Sequence, residues 1–184
     1  MPNDLLVDLQ LLRPVWPPDG GDAFDMPRDN HRALFETLDE VYETLDVRRA
    51  LMLVDTQADA HVLCQFLESR HHAYGYVVPN DVYCNDILLN GFEAGATRVL
   101  VAQVSDWWQE SDFTSRHVLY ECDLVVYAGG CKDAAMDVRG WVEGVIERYP
   151  DRVRKPIRFL EIGPALFGWN VQWHSDRRVL EELN

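Results

Sequence analysis

The chain has 184 residues, of which 47% are hydrophobic, and 31 acidic residues stand against 17 basic ones for a formal charge of −14. This composition supports one globular domain with a sizeable core and excludes an intrinsically disordered chain. So acidic a surface repels phosphate at long range, no apolar run approaches the ~18 residues of a membrane-spanning helix, and no basic stretch followed by an apolar core marks a secretory signal.

Residues 1–28 read as an N-terminal arm, and residues 29–184 as the domain proper. In the arm, the segment from Leu5 to Leu12 suits a strand or a short helix. Pro14, Pro17, Pro18, Gly20, Gly21 and Pro27 then break any regular element. Trp16 and Phe24 give the arm two aromatic anchors. A helix is predicted from about Asp29 to Leu45, with Leu34, Leu38, Val41, Tyr42 and Leu45 at helical spacing. The apolar run Ala50–Val54 suits a strand covered on both faces. Asp55-Thr56 caps a second helix whose buried stripe is Val62, Leu63, Phe66 and Leu67. A short strand follows at Ala73–Val78. A third helix, from about Asp81 to Ala94, is expected to bury Cys84, Ile87, Leu88, Gly91 and Phe92, with Gly95 ending it in a left-handed conformation. Strands are predicted at Arg98–Ala102, His117–Tyr120, Asp123–Tyr127 and Ile157–Ile162. Further helices are predicted at Asp133–Tyr149, presenting Val138, Trp141, Val142, Val145 and Tyr149, and at Arg177–Leu183. Strand and helix alternate, which implies an α/β fold, a parallel sheet with helices on both faces.

Three segments carry a resemblance. Leu53-Val54-Asp55-Thr56 is similar to a Phe-Val-Asn-Thr strand end. Phe92-Glu93-Ala94-Gly95, followed by Arg98-Val99-Leu100-Val101-Ala102, is similar to a Phe-x-x-Gly turn and a Val-Leu-Val-Ala strand. Cys122-Asp123-Leu124-Val125-Val126-Tyr127 looks like a strand that normally runs into Asp-x-Pro. In this order and spacing they resemble the second RecA-like lobe of superfamily 2 RNA helicases of the DEAD-box type, over roughly Ala50 to Tyr149. The resemblance implies a RecA-like fold. It also implies which positions ought to hold the family's chemistry, and these depart one by one. Asp55 and Thr56 keep the strand end. Gln103-Val104 stands where the family has the Thr-Asp that contacts RNA backbone and couples the lobes. Asn85 replaces an arginine near RNA, and Ala128-Gly129-Gly130 replaces Asp-x-Pro. Of the arginine-rich ATPase motif only Arg139 remains, and an arginine finger is worth about 10³–10⁵ in rate. No Gly-x-x-x-x-Gly-Lys-Ser/Thr occurs in the chain.

The expectation is therefore a catalytically inactive lobe that needs no cofactor. Degenerate lobes of this kind occur in large scaffold proteins of small-RNA silencing, including the piRNA pathway, and Met1 with no lobe ahead of it fits an N-terminal placement. That implies self-association, with a homodimer as the leading case, other piRNA-pathway proteins as further partners, and a cytoplasmic, perinuclear granule as the setting. RNA binding by this domain alone is expected to be weak or absent. The alternative is a second lobe of an RNA-dependent ATPase that binds RNA and ATP with a first lobe elsewhere. A third reading, a small nucleotide- or flavin-binding protein, rests on Gly129-Gly130 as a phosphate cradle. Its spacing is wrong, and it lacks the hydroxyl residue that would hold magnesium.

The interface residues expected are Trp107, Trp108 and Phe113 in the repurposed loop, with Trp16 and Phe24 in the arm, since large aromatics dominate interface energetics. Arg148, Arg152, Arg154, Lys155 and Arg158 form one basic cluster, either a solvated helix end and turn or a local contact with nucleic acid or a partner. Cys64, Cys84, Cys122 and Cys131 lack paired spacing and read as reduced thiols of the cytosol or nucleus. His61 and Cys64 lie one helical turn apart without further ligands at motif distance, so no metal site is expected.

Overall fold

A computed structural model describes residues 6–9, 28–78, 81–107, 112–129, 132–162 and 172–173. In chain order the elements are β1 (Leu6–Leu9), α1 (Arg28–Thr44), β2 (Ala50–Val54), α2 (Gln57–Ser69), β3 (Tyr74–Tyr76), α3 (Val82–Glu93) and β4 (Val99–Gln103). They continue with α4 (Val104–Trp107), α5 (Asp112–Glu121), β5 (Leu124–Ala128), α6 (Lys132–Arg148), β6 (Ile157–Ile162) and β7 (Gln172–Trp173). Six strands run parallel in the order β1-β6-β5-β2-β4-β3, and β7 joins β6 antiparallel. The chain is thus the α/β, RecA-like parallel sheet expected.

Period-2 geometry divides the strand residues between two cores. Ala50, Met52 and Val54 face one side with Val99, Val101, Leu124 and Val126, where α1 and α2 bring Leu38, Val41, Leu63 and Phe66. Leu51 and Leu53 face the other with Leu100, Val125 and Tyr127, where α3, α5 and α6 bring Phe92, Leu119, Val138 and Val142. The central strands β2 and β5 are apolar and buried at every position because neither face meets water. Leu6–Leu9 of the arm is a strand, pairing Leu6 with Ile157 and Leu9 with Leu160, so part of the arm belongs to the same sheet. The helix expected at Arg177–Leu183 lies outside the described residues.

Two expectations are corrected. His117–Tyr120 is not a strand but part of α5. A run of four residues carries too little periodicity to separate the two states, and topology decides it. β4 and β5 flank β2 on opposite sides, so their parallel link must cross over, which needs a dozen or more residues and usually a helix. The buried stripe of α3 is Asn85, Leu89 and Phe92, whereas Cys84 is exposed and Ile87 is 55% exposed. The cause is a polar clasp. Asn85 accepts from the Val78 amide at 2.9 Å and donates to the Val78 carbonyl at 2.9 Å, turning that side of the helix inward.

Helix ends follow their local chemistry. Thr56 caps α2 with a full capping box: its hydroxyl accepts from the Asp59 amide at 3.3 Å and the Asp59 carboxylate accepts from the Thr56 amide at 3.1 Å. Gly95 takes φ 81° after α3, and the amides of Ala96 and Thr97 return to the Gly91 carbonyl.

Asp59 is inaccessible to solvent, and its Oδ1 has no hydrogen-bond partner. Burial pushes its carboxyl from 3.8 up to about 6, with the Asp55 charge adding to the rise and the Thr56 hydrogen bonds opposing it. A folded-state value above the unfolded one means that the folded chain holds the proton more tightly. This stabilisation is present below pH ~4 and is lost as pH rises to about 6. Asp59→Asn should therefore raise the melting temperature at pH 7.5, with the gain shrinking towards zero near pH 4. Thermal melts of both proteins at several pH values would reveal it, and a gain independent of pH would exclude this origin.

Candidate functional site

In a parallel α/β sheet, ligand chemistry gathers outside the carboxyl ends of the strands. Here that edge is formed by Asp55 and Thr56 after β2, Gln103 and Val104 at the end of β4, Gly129 after β5, and the start of α3. The polar side chains along it have intrachain partners. Asp55 accepts from the Tyr127 hydroxyl at 2.7 Å, joining the ends of β2 and β5. Gln103 donates to Asp106 at 2.7 Å and to the Tyr76 hydroxyl at 3.2 Å, joining β4 to α4 and to β3. Val104 is buried as the first residue of α4. Asn85, where the resemblance would place an arginine, is engaged with Val78 as described.

Gly129 is required where it stands. A Cβ there would lie 2.5 Å from Asp55 Oδ2 and 2.5 Å from the Tyr127 hydroxyl. Its amide donates to the Ile162 carbonyl at 3.0 Å, so it serves the sheet and is not turned towards a phosphate. Gly130 lies outside the described residues. Arg139 lies on α6 roughly 10 Å along the helix from its start, by the 1.5 Å rise per residue. It donates to Glu143 at 2.9 Å, an i,i+4 pair on a half-exposed face.

Trp107 corrects the expectation of an exposed interface anchor. It has no solvent exposure and meets Trp141 edge to face at 5.9 Å between ring centroids. The four-residue helix α4, unforeseen in an acidic stretch, turns it down onto α6. Trp108, Trp16 and Phe24 lie outside the described residues, as does the side chain of Phe113. Cys64, Cys84 and Cys122 are free thiols. No group of metal-ligating side chains occurs among the described residues.

Among the described residues the large exposed apolar side chains lie mostly on α3, with Met136 of α6 also exposed. Val82, Tyr83 and Ile87 are 71%, 76% and 55% exposed at the strand-end edge of the sheet, with Val78 beside them at 38%. Sequence reasoning placed Ile87 inside and so missed the group. The signal available was Asn85, whose amide can satisfy both backbone groups of a buried neighbour and thereby rotates the helix.

The sheet order and the crossover helices define the RecA-like fold of a helicase C-terminal lobe. The C-terminal domain of the DEAD-box protein Dbp5 superimposes with a TM-score of 0.50 at 17% identity, covering 81% of this chain and 75% of that one. S. cerevisiae Dbp5 bound to Gle1 and IP6 superimposes with a TM-score of 0.54 at 18% identity, over 72% of this chain and 33% of that one. The C-terminal part of the Fun30 ATPase domain gives 0.50 at 11% identity, over 83% and 50%. At such identities the likeness is one of fold. No protein-family model and no curated protein matches the chain.

Proposed function

We propose that this chain is a catalytically inactive helicase-C-like domain whose role is protein–protein association, with a second copy of itself as the first partner. The observation that carries the reading is the group Val82, Tyr83 and Ile87 on α3. It is apolar, exposed and placed on the helix that follows the carboxyl end of β3. A cluster of large apolar side chains left open to water favours contact with another protein surface. The inactive reading is supported by the strand-end positions, where Asp55, Asn85 and Gln103 take part in intrachain hydrogen bonds. It is also supported by Arg139, the one arginine in place, which pairs with Glu143.

In its pattern of losses the chain resembles the extra N-terminal helicase-C-like domain of the fly piRNA-pathway protein Yb. On that resemblance the setting is a scaffold of RNA silencing in a cytoplasmic, perinuclear granule, with other piRNA-pathway proteins as further partners. No described helix is long and apolar enough to cross a membrane.

Light scattering on size-exclusion fractions over a concentration series tests the association. A mass near twice 21.2 kDa is expected, falling to 21.2 kDa on Tyr83→Asp with Ile87→Asp. Because two copies of charge −14 repel, dimerisation should strengthen as salt is raised. A monomer at every concentration and ionic strength would remove the self-association reading. ATP hydrolysis by the chain together with a first lobe, lost on Arg139→Ala, would instead establish the RNA-dependent ATPase alternative.

A further inference from the structure

At the opposite end of the sheet, where the strands begin, the surface holds a cavity of about 780 Å³, within the ~300–1,000 Å³ range of small-ligand pockets. It opens between the C-terminal half of α5, Tyr149 just after α6, and the turn leading to β6. One wall is aromatic, made by His117, Tyr120 and Tyr149. The His117 and Tyr120 rings are 5.7 Å apart, and Tyr120 meets Tyr149 edge to face at 6.3 Å. The other wall is the turn, which contributes Arg152, Arg154 and Lys155.

The charges lining the cavity do not cancel. Glu121 is neutralised by Arg49 at 2.6 Å, and Lys155 is paired with buried Asp123. His117 lies 3.4 Å from Glu93, outside the lining. Arg152 and Arg154 are exposed and have no ionic partner among the described residues. Two unpaired guanidinium groups therefore face one aromatic-walled cavity on a chain of net charge −14.

We infer that this cavity binds a nucleotide through its 5′-phosphate, with the base against the aromatic wall and the phosphate between Arg152 and Arg154. Guanidinium groups hold phosphate oxygens by paired, charge-assisted hydrogen bonds, and aromatic side chains accept a base of any identity. The net charge of −14 on the whole chain disfavours a long phosphate backbone, so the phosphate is terminal: that of a free mononucleotide or of the 5′ end of a strand. This site is independent of the strand-end edge and of the association proposed above.

Calorimetric titration of the whole chain with adenosine 5′-monophosphate, and with a short oligonucleotide carrying either a 5′-phosphate or a 5′-hydroxyl, tests the assignment. Binding is expected for the phosphorylated probes and at least tenfold weaker for adenosine, for inorganic phosphate and for the 5′-hydroxyl strand. Arg152→Gln with Arg154→Gln, both exposed, should weaken it at least tenfold with the melting temperature unchanged. Preference for the mononucleotide would identify a small-molecule site, and preference for the phosphorylated strand a strand-end site. Equal affinity for 5′-hydroxyl strands, indifference to the double substitution, or binding of acidic or phosphotyrosyl peptides in place of both nucleotide probes would overturn the inference, as would no binding at all.

Discussion

Trp107→Ala should lower the unfolding free energy by about 3–5 kcal/mol, the range for deleting a large buried aromatic. For a chain of this size that corresponds to a fall in melting temperature on the order of 10 °C. Trp107 is wholly buried against Trp141 between α4 and α6, so its removal opens a cavity that surrounding β4 and α6 cannot close without moving the sheet. Its Nε1 has no hydrogen-bond partner among the described residues, so the loss is one of packing, and Trp107→Phe should cost clearly less. Thermal melts and size-exclusion light scattering on the same variants separate the two roles this residue can play. A core residue lowers stability and leaves Trp107→Phe with the wild-type mass. An interface anchor would do the opposite, changing the mass with little effect on the melt.

The second large effect is expected at Asp123. Its Oδ2 accepts from the backbone amides of Arg48 at 2.9 Å and Arg49 at 2.8 Å, and its Oδ1 is paired with Lys155. One buried carboxylate thus ties the entry to β2 to the entries of β5 and β6. Asp123→Ala orphans two backbone donors, each costing about 1–3 kcal/mol, for a total of about 2–6 kcal/mol. The Lys155 side chain is 41% exposed and its ion pair adds little, because water screens it. Lys155→Met should accordingly lie within about 1 kcal/mol of the wild type in urea denaturation. A Lys155 variant as damaging as Asp123→Ala would show that the ion pair, and not the backbone acceptor, holds these strands.

Much of the architecture was legible in single segments. The runs at Ala50–Val54, Val99–Ala102 and Leu124–Tyr127 are apolar at every position, which suits strands covered on both faces. Thr56 followed three residues later by Asp59 is a helix start whose cap needs no distant partner. Gly95 carries its own conformational signal. The misread elements were those with partners far along the chain. His117–Tyr120 became helical because β4 and β5 lie on opposite sides of β2. The inward face of α3 was set by Val78, seven residues before Asn85.

The candidate surfaces divide in the same way. The departures from the resembled helicase pattern expected at Asn85, Gln103 and Val104 rest on residue identity, position by position. The aromatic content of the loop after β4 drew attention to Trp107, yet aromatic size is as compatible with a core as with an interface. The cavity at the start of the strands joins residues from 117 to 155, and its charge depends on which cations are already paired.

The sequence by itself determined the alternation of strand and helix and the doubly covered parallel sheet. Each of these is written in hydrophobic period, local capping chemistry or residue identity. Only the tertiary structure decided that Trp107 is core, that Val82, Tyr83 and Ile87 are exposed, and that Arg152 and Arg154 have no ionic partner among the described residues beside an aromatic wall. The physical reason is that burial and charge compensation belong to pairs of groups. Here those pairs, such as Tyr127 with Asp55 or Asp123 with Arg49, join residues more than seventy positions apart.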